Sequence, residues 1–410
     1  MKKFLSLIAC ILLVTGFTMQ AQTSSEAMNR AIEKVIPLDK IYKEAYGAKD
    51  YHVSLQAINS MLECLKNVKL SQEETEQYGE MLRSNIASTY YEQACSYSLL
   101  NNHNESIKAI EKAIEYGYKN YNWMMSDKDL ENVRNDKKFQ KVTEPLKQYD
   151  HRNILAASAS YRHEDTDTLP RFTYQAEDNH YLKYTRKFFK LDSVAGTGDE
   201  VSKIINILNY VHNAIRHDGG NFGVCESDAI DIYNYYKTTG NGVNCRQLAI
   251  ALNGMYLAMG FPSRYVTCLP KNPDDPDCHV ICCVYSSQLD KWLWMDPTFN
   301  AYVKDEKGNL LSIEEVRKRI IDKMPLALND DANWNNESKQ TKDYYLDNYM
   351  AKNLYWLKCV DYSCFNPEPR FRHVERKYLS LVPQGFTSKA TKGANNRLTS
   401  DPDYFWQKPK

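Results

Sequence analysis

The stretch GNGVNCRQLAIALNGMYLAMGF, residues 240–261, constrains the fold more than any other part of the chain. Leu248, Ala249, Leu252, Met255, Tyr256 and Met259 recur at helical spacing. Gly260 ends the helix and Pro262 prevents it from continuing. Directly after it SRYVTCL reads as a strand, PKNPDDPD as a loop, and HVICCVY and DKWLWMDPTF as two strands joined by SSQL. An apolar helix that feeds strands with short returns predicts an α+β domain, the helix packed on an antiparallel sheet.

Cys245 opens that helix. There the positive end of the peptide dipoles lowers a thiol pKa and favours the nucleophilic thiolate. The free N–H groups of the first turn can also stabilise an oxyanion. The glycines of GNGVNC let the backbone turn sharply ahead of the helix. A thiolate needs a base, and the base an orienter. His279 begins HVICCVY and Asp296 ends KWLWMD. With Tyr285 and Asp290 closing the SSQL turn, His279 lies opposite Asp296, Cβ atoms ~5 Å apart. That register predicts an Nδ1–H bond from His279 to the carboxylate and leaves Nε2 for the thiol. A one-residue slip would put Asp296 on the wrong face. Each element also has a plain alternative: a cysteine that merely starts a helix, a histidine at a sheet edge, an aspartate in the turn before Pro297.

In combination these segments resemble the transglutaminase-like superfamily, a papain-type fold. GVNCRQLAIALNGMYLAMGFPSRYV looks like the family's cysteine helix and following strand, DCHVICCVY like its histidine strand, and KWLWMDPTF like its aspartate strand. The likeness covers about residues 200 to 303, and the stretch on to Asn336 looks like an extension of uncharacterised exported bacterial members. The resemblance implies Cys245 as nucleophile, His279 as general base and acid, and Asp296 as orienter. The implied chemistry is acyl transfer through a thioester, either amide hydrolysis or transfer to an amine. Hydrolysis of a peptide or protein substrate ranks ahead of cross-linking, which needs a water-poor channel and room for an amine. The family also uses an upstream side chain to complete its oxyanion hole. Asn221, Asn241 and Asn244 are the candidates, beside a backbone group. IRHDGGNFG reads first as a glycine-rich turn, with a catalytic role for His217 or Asn221 as the alternative. A silent transglutaminase-like binding module, or a scaffold based on helical repeats, is the non-enzymatic alternative.

DCHVICC gathers three cysteines and a histidine, yet strand alternation puts His279 and Cys283 on one face and Cys278 and Cys282 on the other. Zinc needs convergent ligands, so no metal is expected. Trp292 and Trp294 share the face of His279 and either fill the core or wall a cleft. Asp274, Asp275 and Asp277 form a solvated loop or favour a basic substrate. The chain carries no phosphate-loop, flavin or nicotinamide fingerprint, so no cofactor is implied.

Residues 1–22 read as a signal peptide, with Lys2 and Lys3 ahead of an apolar run from Phe4 to Phe17. The run is too short to span a bilayer. It continues past Cys10 through Val14, which sets aside a lipoprotein anchored there. An exported, periplasmic or secreted protein without a membrane span is expected. The remaining ten cysteines do not have the spacing of a small disulfide scaffold.

Residues 23–150 read as all helix. SIKAIEKAIEYG puts Ile107, Ile110, Ala113 and Ile114 on one stripe, closed by Gly117. With the preceding YYEQACSYSLL it resembles a tetratricopeptide helical hairpin, which implies a possible protein-binding surface. Residues 151–197 read as a linker or crossover, 198–305 as the catalytic core, 306–388 as a mainly helical extension and 389–410 as a polar tail. The 52 basic and 52 acidic side chains balance, and nothing points to nucleic acid.

Overall fold

The structure, a computed structural model, describes residues 25–158, 160–162, 171–372, 374–393 and 395–410. The signal-like segment 1–22 and Cys10 lie outside the described residues. The chain divides into two units, Met1–Asp150 and His151–Lys410. No helix among the described residues is long and apolar enough to cross a membrane.

The N-terminal unit consists of helices among its described residues. Four long ones, α1 (Glu26–Gly47), α2 (Tyr51–Lys66), α3 (Gln72–Leu99) and α4 (His103–Glu115), are followed by short helical turns to Tyr149. Their starts are capped as the side chains dictate: Asp50, Ser71 and Asn102 each accept a first-turn N–H. In α4, Ile107, Ile110 and Ala113 are buried, and Gly117, with φ +102°, follows its last turn. Small residues let α3 and α4 approach closely, and the Ser106 hydroxyl donates to the Ala94 carbonyl across the contact at 2.8 Å.

The second unit is built on one six-stranded sheet. Before the sheet come α5 (His180–Phe188), α6 (Leu191–Ala195), α7 (Glu200–Ala214), α8 (Ala229–Thr239) and α9 (Cys245–Ala258). The strands are β1 (Ser263–Leu269), β2 (His279–Ser286), β3 (Lys291–Met295), and, beyond α10 (Ile313–Ile321), β4 (Trp356–Val360), β5 (Tyr378–Leu381) and β6 (Asn396–Thr399). Their order is β6-β5-β4-β1-β2-β3, antiparallel except for the β5–β6 pair.

One core layer joins α5, α7, α8 and α9 to Tyr265, Val280, Cys282, Leu293 and Met295. The other joins Val266, Ile281, Cys283, Trp292 and Trp294 to α10, residues 345–354 and the aromatics at 404–406. Both faces are covered, which explains why the strands read as continuous apolar runs. The same enclosure buries α9 on every side from Gln247 to Ala258, so its single expected stripe is a full circumference. Cys282 and Cys283 belong to opposite layers and do not converge on one point. Trp292 and Trp294 are core residues.

Four expectations are corrected. First, the β2–β3 hairpin closes at Ser286 and Lys291, one residue further along on each strand than Tyr285 and Asp290, which shifts every partner by two. The cause is distant in sequence: the Glu200 carboxylate gathers the Ser286 and Ser287 hydroxyls and the Gln288 N–H. Asp290 completes the turn in the left-handed region, φ 54°. Second, 151–197 is not simply a linker. Leu182 of α5, Phe189 just after it, and Leu191 and Ala195 of α6 are buried in the layer that contains α9, while the lysines and arginines of this segment give it its polar look.

Third, 306–388 is not mainly helical. The capped helix is there, with the Ser312–Glu315 capping box, but LYWL runs into β4, which pairs with Thr267–Leu269 of β1. A short apolar run has no period that separates helix from strand, and the open edge of β1 decides it. Fourth, the tail past Ser388 packs. Asn396–Thr399 pairs with β5. The buried Arg264 guanidinium donates to the Phe405 carbonyl and lies 4.3 Å from the Phe172 ring centre and 4.4 Å from that of Trp292.

Candidate active site

The cysteine helix is positioned from its first turn. Asn244 caps it by accepting the Gln247 N–H at 3.0 Å. The buried Gln247 side chain then spans to the loop ahead of α8, accepting from Gly223 N–H and donating to Gly223 C=O. Arg246 donates to Glu368 and to Thr267, fixing the other flank of the turn to the C-terminal half of the sheet. Before the helix, the segment at Val243 runs parallel to His217, with Val243 N–H donating to Arg216 C=O and Asp218 N–H to Val243 C=O. A Cβ on Gly242 would come within 2.8 Å of the Arg216 carbonyl, so this approach requires glycine.

The structure brings Cys245, His279 and Asp296 together. His279 Nε2 donates to Asp296 Oδ2 at 2.7 Å, both side chains fully enclosed. Asp296 sits diagonally across from His279 rather than directly opposite, as the two-residue register shift requires. A shift of two preserves the face where a shift of one would not. The ring is also reversed from expectation: Nε2 takes the carboxylate, which leaves Nδ1 as the nitrogen for the thiol. Phe299 and Tyr349 pack on the ring, centroids 5.5 and 5.2 Å away.

Sequence reasoning missed the rest of the cradle around Asp296. Its Oδ1 accepts the Thr298 N–H and its Oδ2 accepts the Tyr345 hydroxyl at 2.6 Å. Tyr345 in turn accepts the Trp294 indole N–H. Tyr345 and Tyr349 come from a π-helical segment, Asp343–Met350, whose wider winding lets both phenols reach the site. His212 of α7 donates through Nδ1 to the Pro297 carbonyl and so holds the turn beyond Asp296. Tyr345→Phe removes one of the bonds to a buried carboxylate. Denaturant unfolding should show a loss of about 1–3 kcal/mol, while Cys245 alkylation falls less than it does on loss of His279.

Of the three asparagines offered for the oxyanion hole, Asn221 has its amide engaged elsewhere. The Asn221 amide donates to Gly242 C=O and to the Tyr235 hydroxyl. Asn244 gives its Oδ1 to the helix cap, and Asn241 is exposed on the approach. The further side chain that acts on the sulfur is His217: with His279 it favours the Cys245 thiolate. IRHDGGNFG is a turn, as its glycines indicate, but one that delivers a histidine to the cysteine. The signal was there as an imidazole in a segment short enough to reach Cys245, without any pattern to fix its direction.

Burial opposes the Cys245 thiolate, but the influence of His217 and His279 together outweighs it and brings the thiol down to about 6. For His279, burial again opposes the charged form. The Asp296 carboxylate, by charge and hydrogen bond, and the neighbouring sulfur raise it to about 10. Between these values sulfur and imidazole form a thiolate–imidazolium pair. By contrast, burial pushes the Cys225 and Cys283 thiols up to about 11. All ten described cysteines are free thiols. Asp275 and Asp277, in the loop before His279, are both bonded by Lys352, which neutralises much of that loop's charge.

Cys245, His279, Asp296 and His217 fall inside a recognised domain. Residues 188–297 match the transglutaminase-like superfamily and carry that domain. A solved structure from Cytophaga hutchinsonii, described as a "Putative Cysteine Protease", is similar at 16% identity and a TM-score of 0.24. The match covers 40% of this chain and 56% of that one. No curated protein matches. Members of the superfamily are generally cysteine-dependent enzymes. Trp334, Tyr345 and Glu368, which complete the surroundings of the site, lie beyond the matched residues.

Proposed function

We propose that the chain is an exported cysteine-nucleophile enzyme that cleaves amide bonds of a peptide or protein through a thioester. Cys245 is the nucleophile, His279 the acid and base, and Asp296 the orienter. The observation that carries this reading is the enclosed His279–Asp296 hydrogen bond at 2.7 Å, and the thiol at the start of α9, lowered to about 6, and the imidazole, raised to about 10, support it. At neutral pH the sulfur holds its attacking electron pair and the ring holds the proton the leaving amine needs.

Attack by sulfur on the carbonyl carbon forms the S–C bond and moves the π pair to oxygen. Collapse breaks the C–N bond as His279 protonates the nitrogen. The neutral ring then takes a proton from water, which cleaves the thioester and frees the acid. Hydrolysis ranks ahead of amine transfer because Cys245 is a partly exposed residue and cross-linking needs a water-poor channel with room for an amine. Export rests on the sequence of residues 1–22. The tetratricopeptide-like character of the first unit is a further part of the proposal, resting on the α3–α4 pairing.

Alkylation with iodoacetamide across pH, followed by peptide mapping, tests the reading. Cys245 should be modified first among the ten cysteines, with a half-maximal rate near pH 6. Labelling no faster than that of a model thiol would sink the enzyme assignment. With a glutamine peptide and a fluorescent amine, hydrolysis should exceed incorporation; the reverse result would make the chain an amine transferase.

A further inference from the structure

Two imidazoles flank the Cys245 sulfur, and their partners differ in kind. His279 faces a carboxylate, which favours the protonated ring. His217 Nδ1 instead accepts the indole N–H of Trp334 at 2.9 Å. A nitrogen that accepts an N–H carries no proton, so this bond holds His217 neutral, with its one hydrogen on Nε2.

The clamp on His217 is tight. Asn335 accepts the His217 N–H at 2.9 Å and donates to its carbonyl at 3.0 Å. The short hairpin that carries Trp334 and Asn335 is bound to the end of α7 by Arg216–Glu337 and Asn336–Asn213 hydrogen bonds. The main chain of His217 is in turn bridged to Val243, two residues before the nucleophile.

From this geometry we infer that His217 is a catalytic oxyanion donor, a neutral imidazole whose Nε2–H, with the first-turn N–H of α9, receives the negative charge as it moves from sulfur to the substrate carbonyl oxygen, and that Trp334 is the positioning residue that sets its tautomer. The inference rests on the reading of Cys245 as nucleophile. In the resting site the same ring favours the thiolate. When sulfur attacks, the π pair of the C=O bond becomes an oxygen lone pair within reach of the same donor. His217 gives and takes no proton, and His279 carries all proton transfer. Preorganised donors of this kind need no reorientation when charge develops.

Two reactions of the same sulfur separate this role from a merely structural one. Acylation by p-nitrophenyl acetate passes through an oxyanion; alkylation by iodoacetamide does not. On the full chain, His217→Ala should slow the p-nitrophenol burst by about 10²–10³-fold, and alkylation by no more than roughly tenfold. His217→Gln, which keeps an N–H donor and guards against a folding failure, should recover part of the burst. Trp334→Phe keeps an aromatic ring but loses the N–H, and should lower the burst about tenfold. In ¹⁵N-histidine spectra it should also remove the His217 signature of an unprotonated Nδ1.

Equal losses in both reactions, or an unchanged burst in His217→Ala, would overturn the oxyanion role and leave Cys245 as nucleophile. A wild-type protein inert to both reagents would overturn the nucleophile as well, so the two failures are distinct.

Discussion

His279→Ala is expected to lower amide hydrolysis by about 10⁴-fold while iodoacetamide alkylation at neutral pH falls only about 10- to 100-fold. The substitution removes two things. The first is the charge that holds Cys245 near 6; without it burial pushes the thiol back up and the thiolate becomes the minor form at pH 7. Any reaction of the sulfur feels that loss. The second is the proton donor for the leaving nitrogen, which matters for an amide, less for a nitrophenyl ester and not at all for alkylation. The order of sensitivity should therefore be amide, then ester, then iodoacetamide. Equal losses across the three would mean that His279 only tunes the thiol. The same substitution leaves a gap between Phe299 and Tyr349 and takes one donor from Asp296. A stability loss of about 2–4 kcal/mol should accompany it in denaturant unfolding.

What could be read from the sequence divides along the range of the interactions. The cysteine helix was legible because its cap, apolar spacing and terminating Gly260 are local, and the histidine and aspartate strands because alternation is local too. The register was not. Ser286 stays in β2 because Glu200, far back in the chain, holds the turn, and no window around SSQL contains that residue. The face of Asp296 survived the error because a two-residue shift conserves parity. The choice of ring nitrogen did not survive, because it depends on the diagonal direction from which the carboxylate arrives. The C-terminal strands were hidden for a related reason. Trp356–Val360 has no period of its own to speak of, and it is a strand because β1 has an edge to fill. The second histidine was visible as a residue and invisible as a partner, since its tautomer depends on Trp334, more than a hundred positions away.

Asp296→Asn separates charge from orientation in this site. Asparagine keeps a carbonyl oxygen for His279 Nε2–H and for Tyr345, so the ring can stay in place, but the charge that raises His279 is gone. The wild-type reactive pair exists above the thiol value of about 6 and below the imidazolium value of about 10, and acylation should follow a bell between those limbs. Cys245 is the group lowered on folding, so its thiolate is lost as pH falls through about 6. His279 is the group raised on folding, so its proton is lost as pH rises through about 10. Without the carboxylate charge, burial pulls His279 down. A neutral ring no longer holds the thiol low, so the acid limb moves up as the alkaline limb moves down and the window closes from both sides. At pH 7 the thiolate share should drop from about nine-tenths to a few per cent, roughly a 30-fold loss in alkylation. Amide turnover, which also needs the imidazolium, should lose about 10²–10⁴-fold. Raising the pH should restore alkylation in the variant but not amide turnover, because the thiolate returns while the proton donor does not. If instead both reactions kept the wild-type bell, Asp296 would act by orientation alone and the low thiol value would belong to His217 and the start of the helix.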